Sequence, residues 1–188
     1  EKRRIMCQFT FAAQCLLNPK ADSLRGFKRE WLKHYRNVRP ETMTKYILVD
    51  SASSKKKSSD YTAIFVVGLG MDSNYYVLDM IRDRLDLRER ADRLFSLHRK
   101  WKPIQTRYER YGLMADIEHI RDRQDRESYN FPIVEVAGKA SKEDRIGRLM
   151  PLYEQGRIFF PESLHVTNYE KTVRDLVHDF IEDEYMQF

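Results

Sequence analysis

The chain has 188 residues, 41% of them hydrophobic and 34% charged, with a formal net charge of +5 and a pI of about 9.1. That length buries a substantial core and fits one domain with an appended segment, and the basic balance suits a polyanionic partner as well as an ordinary solvated surface. No apolar run approaches the roughly 18 residues of a membrane-spanning helix, no short apolar run follows a basic start, so secretion is not expected, and Cys7 and Cys15, with no second Cys or His pair near them, read as reduced cytosolic thiols and not as a zinc site.

Residues 1–40 are the least strand-like part. Met6, Phe9, Ala13, Leu16 and Leu17 fall at helical spacing before Asn18 and Pro19 end the run, which predicts a short helix. Phe27, Trp31, Leu32 and Tyr35 predict a second amphipathic stretch that closes at Pro40. We read residues 1–40 as a linker or helical arm from a preceding domain and residues 41–188 as the main domain. The chain begins at Glu1 without an initiator Met and stops at Phe188, so it is expected to be a fragment of a longer polypeptide.

From Lys45 to Asp50, aromatic, aliphatic and β-branched residues run straight into a carboxylate, and small residues follow it. This predicts a buried strand that delivers an acid to its C-terminal end, where open α/β sheets place their ligands. Asp50 is thus the first candidate metal ligand, although a lone aspartate after a strand also forms turns. A polar loop carries Lys55, Lys56 and Lys57, candidate phosphate contacts or a solvated charge run. Strands at 61–69 and 74–80 come next, joined by a short turn, so that the first three strands make an antiparallel meander. Asp60 heads the second strand, as an additional acid over the site or as turn chemistry. Asp79 reads as the partner of Arg82 or Arg84.

Asp86 with Glu89 forms a capping-box pattern before Leu87, Ala91, Leu94, Leu97 and Trp101, which predicts a helix over 86–101 stopped by Pro103. A fourth strand over 104–109 ends on Glu109, and a helix with Leu113, Ile117 and Ile120 as its stripe follows. A strand reached through a crossover helix usually lies parallel to its partner. If that partner is the Asp50 strand, Asp50 and Glu109 stand side by side at one sheet edge. A structural ion pair with Arg107 or Arg110 is the competing role for Glu109. A fifth strand is expected over 131–137, then a turn with Lys139, then a helix from Glu143 to Gly156 with Ile146, Leu149, Met150 and Tyr153 inward. Residues 157–161 read as an edge strand limited by Pro161. A last helix over 167–186 points Val173, Leu176, Val177, Phe180 and Ile181 inward and leaves Asp175, Asp179, Glu182 and Asp183 on a solvated face. The histidines share no ligand spacing.

The expected fold is α/β: a mixed five-stranded sheet, a three-strand antiparallel meander plus parallel strands, flanked by helices. This is the order of the ribonuclease H-like nuclease fold. Four stretches resemble the C-terminal nuclease domain of the large terminase subunit of tailed bacteriophages: Gln14 to Pro19 with Phe27 and Trp31; Ile47 to Asp50 with Ser59 to Ala63; Tyr76 to Asp79 with Arg82 and Arg84; and Lys142 to Ile146 leading to Gly156 to Pro161. The resemblance implies a metal-dependent endonuclease that cuts double-stranded viral DNA during packaging. It implies a two-metal site of Mg2+ or Mn2+, matched here by Asp50 and Glu109 as catalytic and metal-binding acids; Asp60, from its own place at the head of the second strand, is a candidate further metal ligand. The family's third acid lies in a segment expected beyond Phe188. Lys55, Lys56, Lys57 and Lys139 are the implied DNA contacts. The portal protein, the small terminase subunit and an ATPase domain of the same parent chain are the implied partners, in the host cytoplasm at the procapsid and with no membrane involved. Other nucleases of this fold (transposase, integrase or resolvase type) and a non-catalytic DNA-binding or motor-docking module remain alternatives. No G-x-x-x-x-G-K-[ST] loop is present, so ATP binding by a Walker A loop is not expected.

Overall fold

The computed structural model describes residues 26–51, 61–109, 114–136, 142–167 and 170–187. Nine strands are found among them: β1 (Lys33–Tyr35), β2 (Thr44–Asp50), β3 (Thr62–Leu69), β4 (Tyr75–Asp83), β5 (Gln105–Glu109), β6 (Ile133–Val136), β7 (Ile158–Pro161), β8 (His165–Thr167) and β9 (Val173–Asp175). Five helices accompany them: α1 (Leu87–Trp101), α2 (Met114–Glu127), α3 (Lys142–Gly147), α4 (Met150–Glu154) and α5 (Leu176–Asp183).

Seven strands form one sheet in the order β1-β7-β4-β3-β2-β5-β6. The meander is present, since β3 pairs antiparallel with both β2 and β4. The crossover rule holds as well: β5 lies parallel to β2, and β6 parallel to β5. The sheet is larger than the five strands expected because β7 and β1 extend it beyond β4, both in parallel. β7 is therefore not an edge. It meets β4 only at its first two residues, so Pro161 lies past that ladder and faces only Tyr35 of the short strand β1. Tyr35, expected in an amphipathic stretch, belongs to β1, which follows a 3-10 turn at Arg29–Trp31.

Each face of the sheet meets its own core. Ile47, Val49, Ile64, Val66 and Tyr108 pack against Leu94 and Phe95 of α1 and Ile117 and Ile120 of α2. On the other side, Val77, Met80, Ile158 and Phe160 meet Tyr153 of α4 and Leu176, Val177 and Ile181 of α5. The strict alternation along β3 supplies both faces. α1 starts as its sequence demands: Asp86 accepts from the Glu89 N–H, and Glu89 accepts from the Asp86 N–H, each at 2.9 Å. Lys102 ends it in the left-handed region at φ 47°, just before Pro103.

Two expected helices differ. The helix predicted from Glu143 to Gly156 is two short pieces, α3 and α4, with Pro151 opening the second, because proline fits a first helical turn and not an interior. Leu149, expected inward, is at 43% exposure. The helix predicted over 167–186 begins nine residues later, at Leu176, and its first part is the β8–β9 hairpin. Asp175 resets the start: its carboxylate accepts from the Val177 N–H at 3.1 Å as an N-cap and from the Leu164 N–H at 2.9 Å. Val173 is consequently exposed. Its acidic face is paired and not merely solvated, with Asp179 on Arg174 at 2.7 Å and Glu182 on Arg29 at 2.6 Å. Among the described residues no helix is long and apolar enough to cross a membrane.

Candidate functional site

The site grows from one register. Tyr46 lies opposite Gln105 and Val49 opposite Tyr108 along the parallel β2–β5 ladder, so the next step sets Asp50 beside Glu109. Asp50 is also opposite Ala63 on β3, and Ala63 opposite Arg82 on β4. Residues that face each other across a ladder share a sheet face, so these side chains form one row. Because side chains alternate, Leu48 and Asp50 take the face opposite Ile47 and Val49, which are buried under α1 and α2. Helix α5 covers that second face over β3 and β4, where Phe180 meets Phe65 of β3 at 5.7 Å between ring centroids. Among the described residues, no helix core covers the β2–β5–β6 side. Leu48 is 41% exposed and Val136 38%.

An open cleft of about 370 Å³ lies there, with Asp50 and Glu109 in its wall together with Leu48, Phe65, Val136 and Arg145. Arg107 also reaches it, with Nε donating to Gln105 Oε1 at 3.0 Å. The ion-pair partner of Glu109 is Arg145 of α3, not Arg107, and Arg110 lies outside the described residues. The Arg145 Nη1 donates directly to Glu109 Oε1, and the carboxylate side chain is only 18% exposed.

Beneath the cleft a buried polar network ties β5 to both helices of the first core. Tyr108, one residue before Glu109, donates its hydroxyl to Asp116 Oδ2 on α2. Arg90 on α1 grips the same carboxylate with both prongs, Nε to Oδ2 at 2.8 Å and Nη2 to Oδ1 at 2.7 Å, and donates from Nη1 to the Leu85 carbonyl at 2.8 Å. Burial, aided by the hydrogen bond to Asp116, pushes the Tyr108 hydroxyl well above the usual phenol range. The network fixes the strand residue that aims Glu109.

Other expectations resolve as follows. Asp79 is paired with Lys100 at 2.7 Å and the Trp101 indole N–H at 2.9 Å, not with Arg82 or Arg84. Those arginines lie over the Tyr61 ring at 4.3 and 4.2 Å, and Arg82 also pairs with Glu184 at 3.0 Å and with Asp183 at 3.4 Å. Asp60, Lys55, Lys56, Lys57 and Lys139 lie outside the described residues, as do Cys7, Cys15 and the first predicted helix. Arg145, Arg90, Tyr108 and Asp116 were not anticipated as site residues. For Arg145 the available signal is its place in the Lys142 to Ile146 stretch; for Tyr108 it is the inward phase of a strand ending on an acid.

Two adjacent carboxylates offering hard oxygens into an open cleft fit a hard divalent cation by donor chemistry. Among the described residues, no third His, Cys, Asp or Glu gathers with them.

Comparison with known proteins places the chain. A family model described as the terminase RNaseH-like domain matches residues 47–185. The large terminase nuclease of thermophilic phage G20c is similar in structure, with a TM-score of 0.54 at 15% identity over 78% of this chain and 84% of that one. The same nuclease with bound zinc gives a TM-score of 0.50 at 19% identity over 70% and 77%. The fowlpox virus Holliday junction resolvase is more distant, with a TM-score of 0.38 at 10% identity over 59% and 74%. No curated protein matches the sequence.

Proposed function

Because the chain belongs to the terminase RNaseH-like domain family, we propose that it is a metal-dependent endonuclease that hydrolyses phosphodiester bonds of double-stranded viral DNA during genome packaging. The observation that carries this reading is the β2–β5 register, which brings Asp50 and Glu109 from strands 59 positions apart in sequence to one cleft. Two carboxylates brought together at the ends of neighbouring strands repel each other, and a divalent cation held by both would offset that repulsion.

Asp50 and Glu109 would hold Mg2+ or Mn2+, with Asp60 as a further ligand, and a relative solved with bound zinc supports a divalent cation. When bound, such ions activate the attacking water and neutralise the leaving oxygen. The chain's own residues do the rest. The Tyr108–Asp116–Arg90 network holds the end of β5 in place, so that Glu109 meets Asp50 with little reorganisation. The open face carrying Leu48 and Val136 leaves room for the duplex. DNA contact runs mainly through the backbone, with Lys55, Lys56 and Lys57, which follow β2, and Lys139, which follows β6, as the basic residues that meet it. In this reading the portal protein, the small terminase subunit and an ATPase domain of the same polypeptide are partners, and the work is done in the host cytoplasm at the procapsid.

A non-catalytic DNA-binding module is the second reading, favoured by one observation: Glu109 is already engaged by Arg145. Plasmid nicking separates the two. The nuclease reading expects relaxed and linear product with Mn2+ and none with a chelator. Intact plasmid under both conditions, with DNA still bound in a filter assay, supports the inert module.

A further inference from the structure

The Glu109–Arg145 pair links residues 36 positions apart and sits in the wall of the cleft, not under it. Arg145 is 35% exposed at its side chain, and the carboxylate it holds is the one that Asp50 needs as a partner. Of the other arginines at this end of the sheet, Arg82 pairs with Asp183 and Glu184, Arg84 lies over Tyr61, and Arg107 lines the same cleft with its Nε on Gln105. We propose that Arg145 is a positioning residue of this site: it holds Glu109 beside Asp50 until a divalent cation claims that carboxylate, and then turns to a phosphate oxygen of the DNA backbone. The inference rests on the metal-nuclease reading above.

Electrostatics supplies the argument. Two neighbouring carboxylates repel, and a guanidinium across one of them offsets that repulsion and holds the pair in place. A cation that binds both acids adds two positive charges beside the guanidinium, so the Arg145–Glu109 contact turns from attractive to costly. The group that then restores balance is an anion, and the anion delivered to this cleft is a phosphodiester. Arginine suits it: its planar fork matches two phosphate oxygens, and being permanently charged it cannot escape the exchange by losing a proton. The site would thus be self-stoppered when empty and would gain an anion-binding group as it loads.

The test is a Mn2+ titration of the purified chain as it stands, comparing wild type, R145Q and D50A, with binding of a DNA duplex in Ca2+ as the second readout. R145Q is expected to bind Mn2+ about 3- to 5-fold more tightly, the scale of one partly exposed ion pair removed. It is expected to bind duplex about 5- to 10-fold more weakly in Ca2+, the scale of one charge-assisted pair lost. A merely structural arginine would not tighten the metal. Should R145Q not fold, the Nε–H resonance of Arg145 in 15N-arginine-labelled wild type, assigned by its absence in R145K, is expected to shift when Mg2+ is added and to stay put in D50A. Unchanged or weaker Mn2+ binding by R145Q, or a resonance indifferent to Mg2+ in wild type, overturns the inference while D50A's loss of Mn2+ leaves the nuclease reading standing. Wild-type Mn2+ affinity in D50A removes the nuclease reading and this inference with it.

Discussion

Replacing Asp116 with alanine is the most damaging single change the structure implies. Its carboxylate is 2% exposed and accepts from both prongs of Arg90, itself only 7% exposed, and from the Tyr108 hydroxyl. Removal leaves a guanidinium in the interior without the carboxylate that both its prongs grip, while its Nη1 keeps the Leu85 carbonyl. Breaking one side of a buried ion pair costs about 3–5 kcal/mol, because the remaining charge stays desolvated. A lost buried hydrogen bond to Tyr108 adds about 1 kcal/mol. Against a total of about 5–15 kcal/mol for a domain, D116A removes about a quarter of the stability or more. Urea denaturation followed by far-UV circular dichroism reads this directly as a drop in midpoint with the slope unchanged. The double variant R90L/D116L is expected to recover most of the loss, since replacing both charges by apolar groups of similar volume is often neutral. A D116A penalty below about 1 kcal/mol, or a double variant worse than the single one, refutes the reasoning.

Two further outcomes follow from the same geometry. D175A is expected to lose about 1–2 kcal/mol and to detach the β8–β9 hairpin from α5, because one carboxylate caps the helix and also holds the Leu164 N–H; hydrogen exchange at Leu164 and Val177 checks it, and unchanged protection at both contradicts it. Alkaline pH should destabilise the fold. Burial raises the hydroxyls of Tyr108, Tyr153 and Tyr185 above the phenol range, and burial with the Asp79 charge pushes Tyr35 up to about 12. These groups bind their protons more tightly folded than unfolded, so their contribution is complete below about pH 10 and is lost as pH rises above it. The urea midpoint is expected to fall between about pH 9 and pH 11, less steeply in Y108F, and a flat profile excludes the tyrosines as its source.

The half of the molecule that forms the site was legible in the sequence, and the reason is local. β2 is a short apolar run ending on an acid, β5 alternates inward Thr106 and Tyr108 with polar residues before its own acid, and α1 between them carries a capping box; period and connection rule together predict a parallel pair with Asp50 and Glu109 adjacent, as the register has it. What escaped depends on partners far along the chain. β1 is three residues long and exists as a strand only because β7 is beside it. The helical phase from Val173 to Ile181 looks continuous in one dimension, but the Asp175 carboxylate serves Leu164 and Val177 together, and that shared contact decides where the helix starts. Charges mispaired for the same reason. Asp79 has Arg82 and Arg84 nearby in sequence, yet those side chains lie over Tyr61, whereas α1 returns Lys100 and Trp101 to Asp79 across 21 and 22 positions. Arg145 reaches Glu109 over 36 positions, a distance at which spacing carries no information.

The central claim is that Asp50 and Glu109 act as one catalytic unit. Plasmid cleavage rates with saturating Mn2+ for D50N, E109Q and D50N/E109Q test it most directly. Residues that work as a unit are strongly non-additive, so each single variant is expected to lose at least about 100-fold and the double variant to be no slower than the worse single one. Single variants that cleave like wild type, or losses that multiply in the double variant, would contradict it.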